Sequence, residues 1–329
     1  MKPVTGSILV SVVVPTYLRP QLLARCLNAL VRQQFPRDTY EILVCDDAAS
    51  ITTRQQVEAL RERCSGKPEI RYLAVEDSRG PAGARNVGWR SAKGAIIAFT
   101  DDDTIPDEDW LEHGVSALSP TVAAVVGDTD MPMPDPPSDY ERDACGLTRA
   151  EFITANCFVR RSALQAVGGF DTRYTMAWRE DSDLHFALLD RGFRVERCPP
   201  ARVLHPVRPN RFAAGLGMQK KVMFDMLLRK KYPLLYRNRI QAHLPWFYLG
   251  VTVALLLAAV LVIMGYEFAA LCAAGVWIVL TTFFFVKRLQ GTHKCARNVM
   301  DLAITSAFIP LLSIYWRLVG LARFRRIGS

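Results

Sequence analysis

The 329-residue sequence lacks several motifs that would assign it to a common class. No GxGxxG fingerprint follows the first predicted strand and no GxxxxGK[ST] loop occurs, which excludes a Rossmann dehydrogenase and a P-loop hydrolase. None of the eight cysteines forms a CxxC pair, so a zinc knuckle is not expected. The apolar run at 8–14 ends at Pro15 without a small-residue cleavage site, which favours a buried strand over a signal peptide.

Acidic residues are scarce in the last third of the chain. Residues 217–329 contain fifteen Lys and Arg against three Asp and Glu, which gives +12. The whole chain carries +9, so residues 1–216 carry −3. The basic segment also holds two long uncharged runs, 245–264 and 268–286. Basic residues beside apolar runs favour membrane lipids with anionic head groups, and not nucleic acid, as the partner.

The two uncharged runs predict a helical hairpin that spans a membrane. Each is close to the roughly 20 residues that cross a bilayer, and residues 265–267 form a short link. Basic pairs flank both outer ends: Arg237 and Arg239, then Lys287 and Arg288. By the positive-inside rule we expect a protein of the cytoplasmic membrane whose N-terminal domain faces the cytosol.

Two alternatives stay open for this region. The hairpin could instead be buried within a soluble domain, and residues 301–321 could form a third span. Because Pro310 and Arg317 interrupt the apolar stretch of 301–321, we expect an amphipathic helix at the membrane interface.

Residues 1–216 alternate β-branched runs with helical patterns. Strands are predicted over 8–15, 40–45, 70–75 and 95–100, with helices over 21–34, 55–63 and 82–92 between them. This alternation predicts an α/β domain with a mostly parallel sheet, in which ligands bind beyond the carboxyl ends of the strands. Two of these strands end in clustered aspartates.

The rest of the domain is less regular. A proline-rich loop is predicted over 131–140, a helix over 180–191 that ends at Gly192, and short strands over 123–126, 195–197 and 203–205. We therefore expect three regions: a catalytic domain over 1–216, a basic interfacial helical linker over 217–244 and a membrane region over 245–329.

The triplet Asp101-Asp102-Asp103 is the strongest local signal. Carboxylate oxygens at the end of a rigid strand suit Mg²⁺ or Mn²⁺, which would in turn bridge a substrate diphosphate. Three adjacent carboxylates repel one another unless a cation lies among them. On the triplet alone, a solvated acidic turn stays open as the alternative.

Six stretches, in order, resemble family-two inverting glycosyltransferases. They are SVVVPTY at 11–17, EILVCDD at 41–47, GPAGARNVG at 80–88, FTDDD at 99–103, GGFD at 168–171 and EDSDL at 180–184. The resemblance covers roughly residues 8–206. It implies the GT-A nucleotide-diphospho-sugar transferase fold, a UDP- or GDP-sugar donor and Mg²⁺ or Mn²⁺ as cofactor.

The resemblance also implies roles for residues near the donor. Pro15, Thr16 and Tyr17 are expected to line the nucleotide pocket at the end of the first strand. Asp47 is expected to accept a hydrogen bond from the base, with Asp46 alongside.

Further along the chain, the resemblance implies a second group of donor-site residues. Arg85 is expected near the donor, Asp101 towards the ribose and Asp103 on the metal, with Asp102 sharing this work. His205 is a further metal ligand by analogy with some GT-A enzymes, and a purely structural role for it stays open.

Asp181 matches the catalytic base of the family. The reaction needs one carboxylate to remove the proton of the acceptor hydroxyl. Trp178 and Glu180 are the expected acceptor-binding residues, whereas Asp183 could simply stabilise the start of its helix. The QxxRW motif of processive synthases is absent after the base, which favours transfer of a single sugar over polymerisation.

Two other function classes stay open. A metal-dependent phosphohydrolase would use the aspartates but would need further ligands around two metals. A non-catalytic membrane scaffold could keep a nucleotide-binding fold. The membrane hairpin favours a lipid-linked glycan or a surface polysaccharide precursor as the acceptor.

Overall fold

The computed structural model describes residues 7–76, 80–209, 211–241 and 243–325. The chain divides into two compact units. The first contains Met1–Pro132 and Gly146–Pro206, and the second contains Met133–Cys145 and Val207–Ser329. The proline-rich segment from Met133 onwards belongs to the second unit together with the C-terminal helices.

In the described residues, the first unit is built on one eight-stranded sheet. Its strands are β1 (Val10–Thr16), β2 (Tyr40–Asp46), β3 (Glu69–Ala74), β4 (Ile96–Thr100), β5 (Ile105–Pro106), β6 (Val122–Asp130), β7 (Asn156–Arg160) and β8 (Arg194–Leu204). The order is β3-β2-β1-β4-β7-β6-β8-β5. Strands β1 to β4 are parallel and β6 pairs parallel with β8, whereas β7 runs antiparallel to both of its neighbours. The predicted mostly parallel α/β sheet is confirmed.

Helices cover this sheet and connect its strands. They are α1 (Pro20–Leu30), α2 (Ile51–Arg63), α3 (Pro81–Ser91), α4 (Trp110–Ala117), α6 (Arg161–Val167) and α7 (Glu180–Asp190), while α5 (Asp139–Ala144) lies in the second unit. The structure differs from the sequence predictions in two places. The strands predicted over 195–197 and 203–205 are one bulged strand, β8, and α4 was not predicted. The predicted loop over 131–140 ends where Ser138 and Glu141 form a capping box that starts α5.

Alternation along the central strands places apolar side chains on both faces of the sheet. On β1, Val12 and Val14 pack into one cluster and Val13 into another. On β4, Ala98 joins the first cluster and Phe99 the second. A strand buried on both faces reads as a continuous apolar run, which is why β1, β2 and β4 were recognisable.

The second unit is helical in its described part. Its helices after α5 are α8 (Ala214–Met218), α9 (Met223–Lys231), α10 (Pro233–Arg239), α11 (Trp246–Ile263), α12 (Glu267–Leu289) and α13 (Ala296–Arg323). Helices α11, α12 and α13 are long and apolar enough to cross a membrane, with mean hydropathies of 2.5, 2.2 and 1.6. They suggest membrane association. Helix α13 is longer than the predicted 301–321 and continues through Pro310.

Helix α13 packs along the segment that precedes the hairpin. Near its start, Asp301 accepts a hydrogen bond from the Ala213 amide. Further along, the Lys220 ammonium lies 5.8 Å from the ring centroid of Trp316, and Arg317 Nη2 lies 3.6 Å from Asp225 Oδ2. Helix α13 therefore follows α8 and α9 over most of its length.

The packing of α3 on the sheet gives a stability prediction. A Cβ at Gly88 would lie 2.4 Å from Val13 Cγ1 and 2.8 Å from Cys45 Sγ, whereas a Cβ at Gly217 meets nothing within 4 Å. We expect Gly88→Ala to destabilise the protein by about 1–3 kcal/mol through overpacking. Gly217→Ala is the matched control and is expected to be neutral or stabilising by up to about 1 kcal/mol. Thermal unfolding of the two variants tests this, and equal midpoints would contradict it.

Candidate active site

The topology of the sheet brings the aspartates of two separated motifs to one edge. Strand β1 lies between β2 and β4, and all three are parallel, so their carboxyl ends are neighbours. Thr16 ends β1, Asp46 ends β2 and the Asp101–Asp103 triplet follows β4. The predicted donor residues therefore lie along one edge of the sheet.

Asp46 and Asp47 make different contacts. The Asp46 side chain is fully buried and accepts hydrogen bonds from the amides of Ala48 (3.0 Å) and Ser50 (2.7 Å) and from the Tyr72 hydroxyl (3.1 Å). These contacts hold the turn after β2. Asp47 Oδ2 accepts from the Gly80 amide at 2.8 Å, while its buried Oδ1 has no hydrogen-bond partner among the described residues.

The Asp102 side chain is buried and contacts other side chains of the protein. Thr16 Oγ1 donates to Asp102 Oδ2 at 2.7 Å, and Arg19 Nη1 donates to Asp102 Oδ1 at 3.1 Å. Burial raises the pKa of Asp102 to about 6, although Arg19 and Thr16 oppose the shift. Both carboxylate oxygens and the Thr16 hydroxyl are thus engaged in joining the ends of β1 and β4.

Asp101, Asp103 and His205 form a group that could hold a metal ion. Each offers one ligand atom, and these atoms all lie within 4.8 Å of one another. His205 follows β8, where its amide donates to the Asp130 carbonyl at 2.7 Å, and its Nε2 lies 3.5 Å from Asp103 Oδ1. Within the described ranges, the buried Nδ1 of His205 has no hydrogen-bond partner. Two carboxylates and an imidazole suit Mn²⁺, so the residues fit the predicted cofactor.

Arg85 links this group to the start of α7. Its Nη2 donates to Asp101 Oδ1 at 2.7 Å and its Nη1 donates to Glu180 Oε1 at 3.2 Å. Burial opposes the positive charge, yet the charges of Asp101 and Glu180 hold the pKa of Arg85 above its ordinary value. A permanent buried cation therefore lies between carboxylates that are 79 positions apart in the sequence, Asp101 and Glu180.

Glu180 and Asp181 begin α7 after a backbone kink. Arg179 precedes them with φ of 72°, a left-handed conformation that costs a non-glycine residue roughly 1–2 kcal/mol. Asp181 is half-buried, and Oδ1 accepts a hydrogen bond from the Ser182 amide at 2.7 Å. Desolvation raises the pKa of Asp181, and desolvation together with the charge of Asp181 raises that of Glu180. The buried Oε2 of Glu180 has no hydrogen-bond partner in the described part of the chain.

Three further residues named from the sequence are Asp183, Trp178 and Tyr17. Asp183 is buried and accepts a hydrogen bond from the Tyr174 hydroxyl at 3.0 Å, which is a structural contact. The Trp178 ring is 36% exposed and lies 4.8 Å from the Arg179 guanidinium carbon. Tyr17 is 54% exposed at the end of β1, where a flat ligand could contact its ring.

Sequence reasoning missed several contacts of this site. Arg19 was not singled out, although it directly precedes α1, whose apolar pattern is visible in the sequence. The contact of Tyr174 with Asp183 spans only nine positions and was not singled out either. The Arg85–Glu180 pair had no local signal, because its two residues are 95 positions apart in the sequence. Such contacts depend on the sheet order.

Comparison with known proteins identifies the family. Residues 11–168 match the description Glycosyl transferase family 2, and residues 141–286 match Glycosyl transferase family group 2. The glycosyltransferase AglE of Haloferax volcanii is 30% identical over a 244-residue alignment, and the match covers 68% of this chain and 78% of AglE. The UDP-Glc:alpha-D-GlcNAc-diphosphoundecaprenol beta-1,3-glucosyltransferase WfgD of Escherichia coli is 33% identical over 110 residues, 33% of this chain and 41% of WfgD.

Solved structures show the same fold. The mannosyltransferase PcManGT from Pyrobaculum calidifontis, solved with GDP-Man and Mn²⁺, superposes with a TM-score of 0.59 at 22% identity. The match covers 93% of this chain and 88% of that one. This likeness confirms the predicted GT-A fold.

These findings decide between the function classes that the sequence left open. Neither a phosphohydrolase nor a non-catalytic scaffold is consistent with the two family matches and with the extent of the match to AglE. The chain belongs to glycosyltransferase family 2 and is an enzyme that transfers a sugar from a nucleotide-sugar donor.

Proposed function

We propose that the protein transfers a single sugar with inversion from a nucleotide-diphosphate sugar to a hydroxyl of a lipid-linked glycan or surface polysaccharide precursor. The observation that carries this proposal is the half-buried carboxylate of Asp181, whose pKa is raised by desolvation. A desolvated carboxylate with a raised pKa suits a general base. It lies one residue from Glu180, which Arg85 connects to Asp101.

The donor end of the site is assigned from side chains at the carboxyl ends of the strands. Asp47 Oδ1 would accept an N–H of the nucleobase, with Pro15 and Tyr17 beside it at the end of β1. Asp101, Asp103 and His205 would hold Mn²⁺ or Mg²⁺, which neutralises the charge of the leaving diphosphate when bound. Asp46, Asp102 and Thr16 support these residues through their protein contacts.

The reaction needs one proton acceptor. Asp181 would take the proton of the acceptor hydroxyl. At the same time the acceptor oxygen would bond to the anomeric carbon, and the bond from that carbon to the diphosphate oxygen would break. A single displacement with one base leaves no covalent intermediate, so the anomeric configuration inverts. Arg85 keeps Glu180 and Asp101 in place, and Trp178 is the proposed surface for the acceptor sugar.

A membrane-associated acceptor follows from the helical unit of the chain. Three apolar helices suggest that the enzyme stays at a bilayer, where lipid-linked glycans reside. WfgD is named as a glucosyltransferase that acts on a diphosphoundecaprenol-linked acceptor, which supports this class of acceptor. We infer from the basic flanks of the hairpin that the catalytic unit faces the cytosol.

We propose further that α11 and α12 span the membrane while α13 lies at its surface. Helix α13 packs along a segment that carries Lys220 and Asp225, so a spanning α13 would bring these charges to membrane depth. Each charge at the centre of a bilayer costs at least about 2.5 kcal/mol. The predicted interfacial position avoids this cost.

Labelling with a membrane-impermeant maleimide in sealed vesicles tests the position of α13. Cys295 precedes the helix and is exposed, and an Ala322→Cys variant places a second thiol in the last turn. With Cys272 changed to serine, we expect both thiols to be labelled from the cytosolic side. Labelling of the two positions from opposite sides would mean that α13 spans the membrane.

The catalytic proposal is tested by a matched pair of substitutions. Asp181→Asn keeps the side-chain shape but cannot take a proton, so transfer should fall by a factor on the order of 10² to 10⁴. Calorimetry should show nearly native binding of the nucleotide sugar, because the donor residues are unchanged. NMR of the wild-type product should show inverted anomeric configuration.

Asp183→Asn is the control for this experiment. The new amide oxygen can still accept the Tyr174 hydroxyl, so the cost in stability should stay at about 1 kcal/mol or below and transfer should remain close to wild type. Wild-type turnover in Asp181→Asn, or a retained configuration in the product, would remove Asp181 from the mechanism.

A further inference from the structure

The second unit contains a cavity of about 460 Å³ beside the start of the first apolar helix. Residues from the end of α9, from α10, from the beginning of α11 and from α13 line it. Those that matter here are Arg229, Leu234, Tyr236, Arg237, Trp246 and Arg317. No role has yet been given to this cavity, which lies apart in sequence from every residue of the catalytic site.

The charge of the cavity is one-sided. Three arginines line it, and the described lining residues include no carboxylate. Arg317 lies 3.6 Å from Asp225, which offsets one of the three charges, and its buried Nε has no hydrogen-bond partner among the described residues. Arg229 and Arg237 are exposed at the rim. An arginine fork matches the geometry of a phosphate group, so the cavity suits a phosphate more than a metal or a neutral sugar.

The rim of the cavity also carries apolar side chains. Trp246 is the first residue of α11 and is 67% exposed, and Leu234 is 65% exposed. Tryptophan at the end of an apolar span is typical of the level of the lipid head groups. A soluble anion would gain nothing from this rim, whereas a lipid has a phosphate for the arginines and an acyl region for Trp246 and Leu234.

We propose that this cavity binds the phosphate of a membrane-lipid head group. Arg229, Arg237 and Arg317 contact the phosphate, and Leu234 and Trp246 contact the glycerol and acyl region. The site goes beyond the transfer reaction, because a lipid bound here need not be the acceptor. It rests on the proposed membrane position of α11.

Native mass spectrometry of the full-length protein tests the site. The protein would be taken from nanodiscs of phosphatidylcholine containing phosphatidylglycerol, and the phosphatidylglycerol retained per chain would be measured. Arg229→Gln/Arg237→Gln should weaken retention about tenfold or more, since each change removes charge-assisted hydrogen bonds. Lys294→Gln/Arg297→Gln removes the same charge from exposed positions outside the cavity and should leave retention within about twofold.

Two further measurements distinguish a lipid from a soluble phosphate, and the lipid site from the proposed transfer reaction. Glycerol phosphate and inorganic phosphate should not displace the lipid at equal concentration, and an Asp181→Asn protein should retain lipid as the wild type does. Equal losses in both double variants would show nonspecific attraction and overturn the site. Displacement by soluble phosphate would overturn the lipid assignment. If the double variant unfolds, Trp246→Ser takes its place, and unchanged retention in that variant would contradict the proposal.

Discussion

Carboxylate repulsion at one edge of the sheet is the constraint on which the catalytic unit depends. Parallel pairing of β1 with β2 and β4 gathers two aspartate motifs at neighbouring strand ends. The fold gives the carboxylates different partners. Backbone amides hold Asp46, Thr16 and Arg19 hold Asp102, and Arg85 holds Asp101. Asp101 also belongs, together with Asp103 and His205, to the group of side chains that could hold a cation.

The contacts of Arg85 connect the proposed donor site to the proposed base. Arg85 forms one ion pair with Asp101 and another with Glu180, so a single buried cation neutralises carboxylates after β4 and at the start of α7. The pKa of Arg85 is held above its ordinary value, which means that it remains charged at any working pH. The start of α7 is thereby tied to the strand end that would carry the diphosphate.

Much of this arrangement could be predicted from the residues, and the limits are physical. Apolar runs identified β1, β2 and β4 because strands buried on both faces leave a strong local pattern. The motifs predicted Asp47, Asp101 and Asp181 as site residues. The sequence could not separate Asp102 from its neighbours, because its partners Thr16 and Arg19 lie more than 80 positions away. The predicted helix over 301–321 already included Pro310, and it missed only the two ends of α13, residues 296–300 and 322–323.

We propose that Asp101, Asp103 and His205 hold one divalent cation beside the diphosphate. Electron paramagnetic resonance titration of Mn²⁺ into the full-length protein with UDP or GDP tests it most directly. We expect one bound Mn²⁺ per chain, with affinity lowered at least about tenfold by Asp103→Asn and by His205→Ala and preserved by Asp183→Asn. Unchanged Mn²⁺ affinity in both Asp103→Asn and His205→Ala would contradict the assignment of the metal site.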